Sequence, residues 1–522
     1  MGKSIGAIIG IGVAIFAPYA AAAIGLSGFG ATLFGLGLQM AVSSIFNRGA
    51  GQKGRIQDQG ILVNKASNTA NLPVIYGNRR IGGTRVYLQS TNASGETSGT
   101  EYLHIVLAYA NGGALADGSH NMDGPSVTKI LLNDRTAFTS SGGIDSHFVR
   151  SDGQVLDIAT FRGPTDQSHT VGREYSTFGV TNGAGVGGND SDFNSNISDE
   201  WTADYKMRGV SYIYARLRFD RDKFPAAPTI LVEANGIRVR DVTKIRANAS
   251  DTEDNLRNHS RHDNPANCIY DYLSNSIYGK GLADSEIDIE SFHTASNYYD
   301  TIGLKFNGAI DTADTIYNNT QAMLASANAN LFYRRGKYAI GVNNKRTFDT
   351  NTFVFDESNI IGDMTIALGN KKQKYNQMKV NYFNSENEWQ ANSKLVKGTP
   401  TGSNEYLTKD GNIVNEGTIE LDLTGPEQKA KNLGNFYLDF SRFSTIISFK
   451  AAHTALVLDV DDVVFVKHKT PGYDTLNSGS GKKFYVQSLV MFSDSTVDVT
   501  LSEYPTDETI FMEDSGYSDY TR

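Results

Sequence analysis

Nine histidines, many carboxylates and a single cysteine, Cys268, are the groups from which any chemistry would have to be assembled. His259 and His262 stand three residues apart beside Arg261, a spacing that can bring two imidazoles to one metal ion. They lie in a polar stretch and read instead as two solvent-exposed histidines. Asp190, Asp192, Asn194 and Asn196 resemble the opening of a calcium loop. The sixth place, which needs glycine, is Ser195, and the twelfth, which needs glutamate, is Trp201, so residues 188–200 read as a polar loop. Asp284, Glu286, Asp288 and Glu290 alternate at a two-residue spacing that scatters them around a helix, giving a solvated acidic helix start. Asp459, Asp461 and Asp462 read as a turn between strands.

The motifs that would signal an enzyme are missing. There is no HExxH, no GxxxxGK[ST] phosphate loop and no GxSxG nucleophile elbow. Gly28-Phe29-Gly30 follows no strand and lacks the third glycine of a dinucleotide fingerprint. No pair of carboxylates stands out for glycoside cleavage. One cysteine excludes a disulfide framework or a cysteine-based metal site within one chain. The sequence therefore nominates no catalytic, cofactor-binding or metal-ligating residue, and the chain is read as a non-enzyme without cofactors. A net charge of −9 without clustered Lys and Arg gives no specific nucleic-acid grip.

A length of 522 residues accommodates about three or four domains, and 52 Gly with 26 Tyr and 26 Phe favours strands and loops over long helices. Residues 1–47 are an apolar Gly/Ala-rich segment in which no charge occurs from 4 to 47, and 48–71 are a polar linker. Residues 72–240 form a β-rich unit. Val74–Tyr76 reads as a strand leading to Gly77, and Gly82-Gly83 as a tight turn before a strand from Arg85 to Gln89. Further strands are expected over 102–110, 128–132 (ending at Asn133-Asp134), 209–219 and 229–234, with Asn235-Gly236 as a hairpin turn into 237–239. Residues 241–263 are polar and read as a linker. An α+β module over 264–345 carries three helices: one begun by Asn264 and Pro265, one over 284–299 and one over 314–327, before a hairpin over 331–342. A second β-rich region covers 346–510, with strands at 378–383, 445–449, 463–467, 484–491 and 496–501, a polar loop at 397–415 and a helix at 426–440. Residues 511–522 form an acidic tail. The fold class is thus α+β, mainly β, in several domains.

The segment 1–47 must be sheltered from water by a bilayer, an oligomer or a partner. Residues 5–26 are long enough to span a membrane, and Gly6 and Gly10 suit close helix packing in lipid or around a symmetry axis. Lys3 followed by Ala20 to Ala23 also fits a signal peptide.

Several stretches, in order, carry a family resemblance. Leu72-Pro73-Val74-Ile75-Tyr76-Gly77-Asn78-Arg79-Arg80-Ile81-Gly82-Gly83 resembles a stretch of phage tail tip proteins of the lambda attachment protein J type. Residues 102–108, 130–134 and 209–217 with Phe224-Pro225 follow in that family's order. Asn264-Pro265-Ala266-Asn267-Cys268, then Asp271, Leu273 and Tyr278-Gly279-Lys280-Gly281, is similar to its helix-and-turn motif, and residues 376–382 to a further strand. The resemblance implies a homotrimeric hub of tube-like β-barrel domains closing a tail tube, with 264–345 as an inserted module. It implies partners in the distal tail or tube protein, the tape measure protein and tail fibres or receptor-binding proteins. Residues 1–47 would plug the lumen or enter the host membrane. The apolar start and the end near 522 depart from the family's longer members, which favours a hub over direct receptor recognition. The alternatives are a membrane-anchored or secreted bacterial surface protein, and a tail-associated wall-degrading enzyme.

Overall fold

The computed structural model describes residues 64–66, 71–91, 100–112, 124–151, 153–162, 207, 209–224, 226–250, 253–257, 262–349, 352–369, 371–397 and 405–512. The apolar segment 1–47, His259 and the 188–200 loop lie outside the described residues.

The first unit packs two five-stranded sheets face to face. One has the order β1 (Asn64–Ala66), β4 (Gly83–Thr91), β5 (Tyr102–Asn111), β12 (Val210–Arg218), β11 (Leu156–Phe161). The other runs β3 (Asn78–Ile81), β13 (Ile230–Asn235), β6 (Ser126–Leu132), β7 (Arg135–Thr139), β8 (Gly143–Ile144). Between β8 and β11 lies the small hairpin of β9 (Val149–Arg150) and β10 (Gly153–Gln154). Successive side chains of a strand point to opposite faces. Ile105, Leu107 and Tyr109 of β5 therefore meet Ile130 and Leu132 of β6 and Ile230 and Val232 of β13 in one core. Val106 and Ala108 are buried on the other face with Tyr212 and Tyr214. That double burial explains why β5 reads as an uninterrupted apolar run.

Asn133 and Asp134 close the β6–β7 hairpin with φ of 48° and 63°, the left-handed pair that such a two-residue turn requires. The hairpin expected at Asn235-Gly236 does not form. Ile237 donates its backbone N–H to Ile75 O at 3.0 Å and Gly236 donates to Gly77 O, so the chain leaves the sheet alongside β2 (Val74–Tyr76). A tertiary partner has captured the donors that a hairpin would have used. The Gly82-Gly83 turn is likewise a change of sheet, from β3 to β4.

The middle of the chain supplies α1 (Val242–Ala247), α2 (Glu253–Leu256), α3 (Pro265–Ser274), α4 (Ile289–Ile302), β14 (Gly308–Ile310), α5 (Ile316–Ala327) and the hairpin β15 (Ala329–Arg334)–β16 (Lys337–Val342). Asn264 caps α3 by accepting from Ala266 N, with Pro265 in the first turn, as the sequence predicts. The helix expected over 284–299 is shorter at its start. Residues Asp284–Glu286 make a single 3-10 turn, and Ile287 bridges Tyr338. Asp288 N donates to Tyr338 O at 2.8 Å, so the backbone is extended there before α4 begins.

The last region begins with β17 (Val354–Phe355) and β18 (Ile360–Ala367). There follow β19 (Gln377–Asn384), β20 (Gln390–Val396), α6 (Glu405–Lys409), β21 (Glu416–Leu421), α7 (Glu427–Phe440), β22 (Ile446–Ala451), β23 (Val463–Val466), β24 (Lys482–Met491) and β25 (Val497–Glu503). A three-stranded sheet has the order β20-β19-β21, and a six-stranded sheet the order β17-β23-β24-β25-β22-β18. The polar loop expected over 397–415 contains the one-turn helix α6, and strands β18, β20 and β21 were not anticipated. In β20 exposed polar positions hide the alternation: it reads Gln-Ala-Asn-Ser-Lys-Leu-Val and only Val396 is buried. Gly434 lets α7 lie directly on β19, since a Cβ there would sit 2.4 Å from a Val380 methyl.

Candidate functional site

Among the described residues, the polar groups found by sequence reasoning are tied into the fold rather than gathered into a reactive cluster. Among the described residues no group of three or more His, Cys, Asp or Glu could hold a metal ion. The acidic start of the second module helix is not simply solvated. Asp284 receives two hydrogen bonds from Arg240 at 2.9 and 3.0 Å and one from Tyr270 Oη. Burial pushes its carboxyl up, but the bonds from Arg240 and Tyr270 outweigh it and hold it below the usual carboxylate range. Asp288 caps α4 and accepts from Arg334, while Glu290 accepts from Arg246. Residues 459–462 do form a turn into β23, but Asp461 is also paired with Arg346 at 2.5 Å. Burial pushes the Asp461 carboxyl up against that pairing. Of the two histidines, His262 accepts a contact from the thiol of Cys268 on its backbone oxygen, at 3.3 Å.

Thr91 Oγ1, His104 and Tyr214 Oη form a chain with 2.8 Å at each link. Its residue types could relay a proton, yet His104 is 1% exposed and lies inside the β4–β5–β12 sheet. Burial, aided by the nearby Arg216 charge, lowers its pKa to about 4. It serves as a neutral, satisfied core histidine.

What the fold does assemble is a joint, and its parts are the same stretches that carry the family resemblance. Strand β2, from the Leu72–Gly83 stretch, pairs antiparallel with β14 of the middle module. Tyr76 Oη donates to Asp271 Oδ2 at 3.0 Å, and Tyr278 Oη donates to the same oxygen at 2.6 Å. All three residues are buried. Burial and then the Asp271 charge drive both phenol pKa values upward, so the hydroxyls stay protonated donors at any ordinary pH. Gly77 has φ of +67°, and a Cβ on it would lie 1.7 Å from Phe306 O. Only glycine satisfies both demands at once. Gly279 lies just as tightly on Tyr272 O.

Residues that sequence reasoning passed over extend the joint to the last region. Asn307 Oδ1 accepts from Asn78 N at 3.0 Å, and Asn307 N donates to Leu423 O at 2.8 Å. Tyr437 Oη of α7 donates to Ala325 O at 2.7 Å, and Arg346 N donates to Tyr504 Oη at 3.0 Å. One apolar core accordingly runs from Val74 and Tyr76, through α3, α4 and α5, to Leu423, Leu433, Tyr504 and Met512. No local periodicity could have marked Asn307 or Tyr437, whose partners are far away in the chain. No helix among the described residues is long and apolar enough to cross a membrane.

No family model matches the chain. The baseplate hub protein pb3 of Escherichia phage T5 is 20% identical over 486 residues, covering 84% of this chain and 48% of that protein. The chain thus spans about half the length of the curated relative it matches. Among solved structures, a chain of the virion of a native gene transfer agent particle aligns with a TM-score of 0.56 and 13% identity, covering 95% of this chain and 97% of that one. The 43 kDa tail protein of prophage MuSo2 from Shewanella oneidensis covers 85% of this chain and 99% of its own at a TM-score of 0.28 and 9% identity. The first of these two structural likenesses shows a shared overall fold.

Proposed function

We propose that this chain is a structural virion protein, the hub at the distal end of a phage tail, organising the tail tip and gating DNA exit at attachment. The observation that carries the reading is sequence kinship to a baseplate hub protein over 84% of the chain. The buried joint supports it, because a hub must hold several β units in fixed relation while the tail is intact. The role is non-enzymatic and needs no cofactor. Its finer form is a homotrimer of the lambda tail tip type, in which residues 72–240 and 346–510 belong to the ring and 264–345 to an inserted module. Open sheet edges invite pairing between copies, and rotational symmetry uses one surface repeatedly. The tape measure protein, the distal tube protein and fibres are the partners that follow. Three copies of the uncharged residues 4–47 would meet on the axis and plug the lumen, or be released into the host membrane.

Imaging purified particles with an antibody against the full chain tests the proposal. Label at the tail end, around a threefold density, is the expected result. Label on the host envelope and none on particles would overturn it in favour of a bacterial surface protein.

A further inference from the structure

We draw no further inference here: the strongest candidate, the outer edge of β18 in the six-stranded sheet with Ile361, Ile366 and the following Leu368 exposed, is an unpartnered apolar edge among the described residues, and nothing in the structure shows what covers it.

Discussion

The first sandwich and the joint behind it are both buried, but they are held by different physics. The sandwich core is a set of interdigitated aliphatic and aromatic side chains, among them Ile105, Leu107, Ile130, Phe138, Ile213 and Val232. Burying each such side chain stabilises by about 1.5–3 kcal/mol, and the contribution is non-directional, so comparable shapes can substitute. The joint adds groups that admit one geometry: a glycine without room for a methyl, one carboxylate between two phenols, and an asparagine bridging to two other regions. Non-directional burial builds units, and directional contacts fix how the units sit together. Damage to the two regions should therefore look different. A core truncation should loosen the sandwich, whereas a joint substitution should uncouple regions that each keep their own sheet.

The largest effect that could break this contrast is expected at Gly77. Gly77→Ala imposes a strained φ and a collision with the Phe306 carbonyl, and should cost more than about 4 kcal/mol. Calorimetry should then resolve separate transitions where the parent melts together. A single transition merely shifted downward would mean that the joint and the units are one cooperative body.

Next in size is the acid response of the sandwich. The folded pKa of His104 lies at about 4, below its unfolded value of 6.5, so the unfolded chain takes up a proton that the fold refuses. Stability from this group is complete above pH 6.5, falls as the pH drops towards 4 and is level below that. The loss amounts to about 3 kcal/mol. His104→Gln should flatten this part of the pH profile. Exchange measured across pH 6.5 to 4 should report the change in β4, β5 and β12, and not in α3. Equal acid sensitivity in both regions would erase the distinction.

The smallest effect sharpens the comparison. Tyr278→Phe deletes one of the two hydroxyls on Asp271 and keeps the ring, at a cost of about 1.5–3 kcal/mol. Chemical denaturation should detect it, with faster exchange at Tyr76 and its β14 partners and no change in β5 or β6. An effect no greater than about 0.5 kcal/mol would mean that Asp271 is adequately held by Tyr76 alone.

Half of the strands of the first sandwich's two sheets, β4, β5, β6, β12 and β13, were legible because their patterns are local. The run at 102–110 reads as a strand wherever it packs, and Asn133-Asp134 reads as a turn because a short side chain tolerates positive φ. The module helices were legible for a similar reason: Asn264 and Pro265 mark a helix start within a few residues. Misreadings arose where a distant partner overruled a local signal. Asn235-Gly236 carries a hairpin signature but gives its backbone to Ile75 and Gly77. Strand β20 looks like polar loop because, at a sheet edge, most of its side chains face solvent. The joint was visible as a set of stretches worth noticing, but not as a place. Asp271 lies among many carboxylates, and nothing beside it names Tyr76.

The sequence by itself determined the mainly β character and the strands and caps just described, because these follow from the side-chain period, the allowed backbone angles and the presence of the right residue types nearby. Only the tertiary structure decided that Tyr76, Asp271 and Tyr278 share one buried oxygen, that Asn307 bridges to Leu423, and that the Arg79 guanidinium lies 5.5 Å from the centre of the Trp389 ring. Apart from the Tyr278–Asp271 bond, those contacts join residues far apart along the chain. Their energy comes from exclusion of water and from geometry set by several elements at once, which no short window of sequence contains.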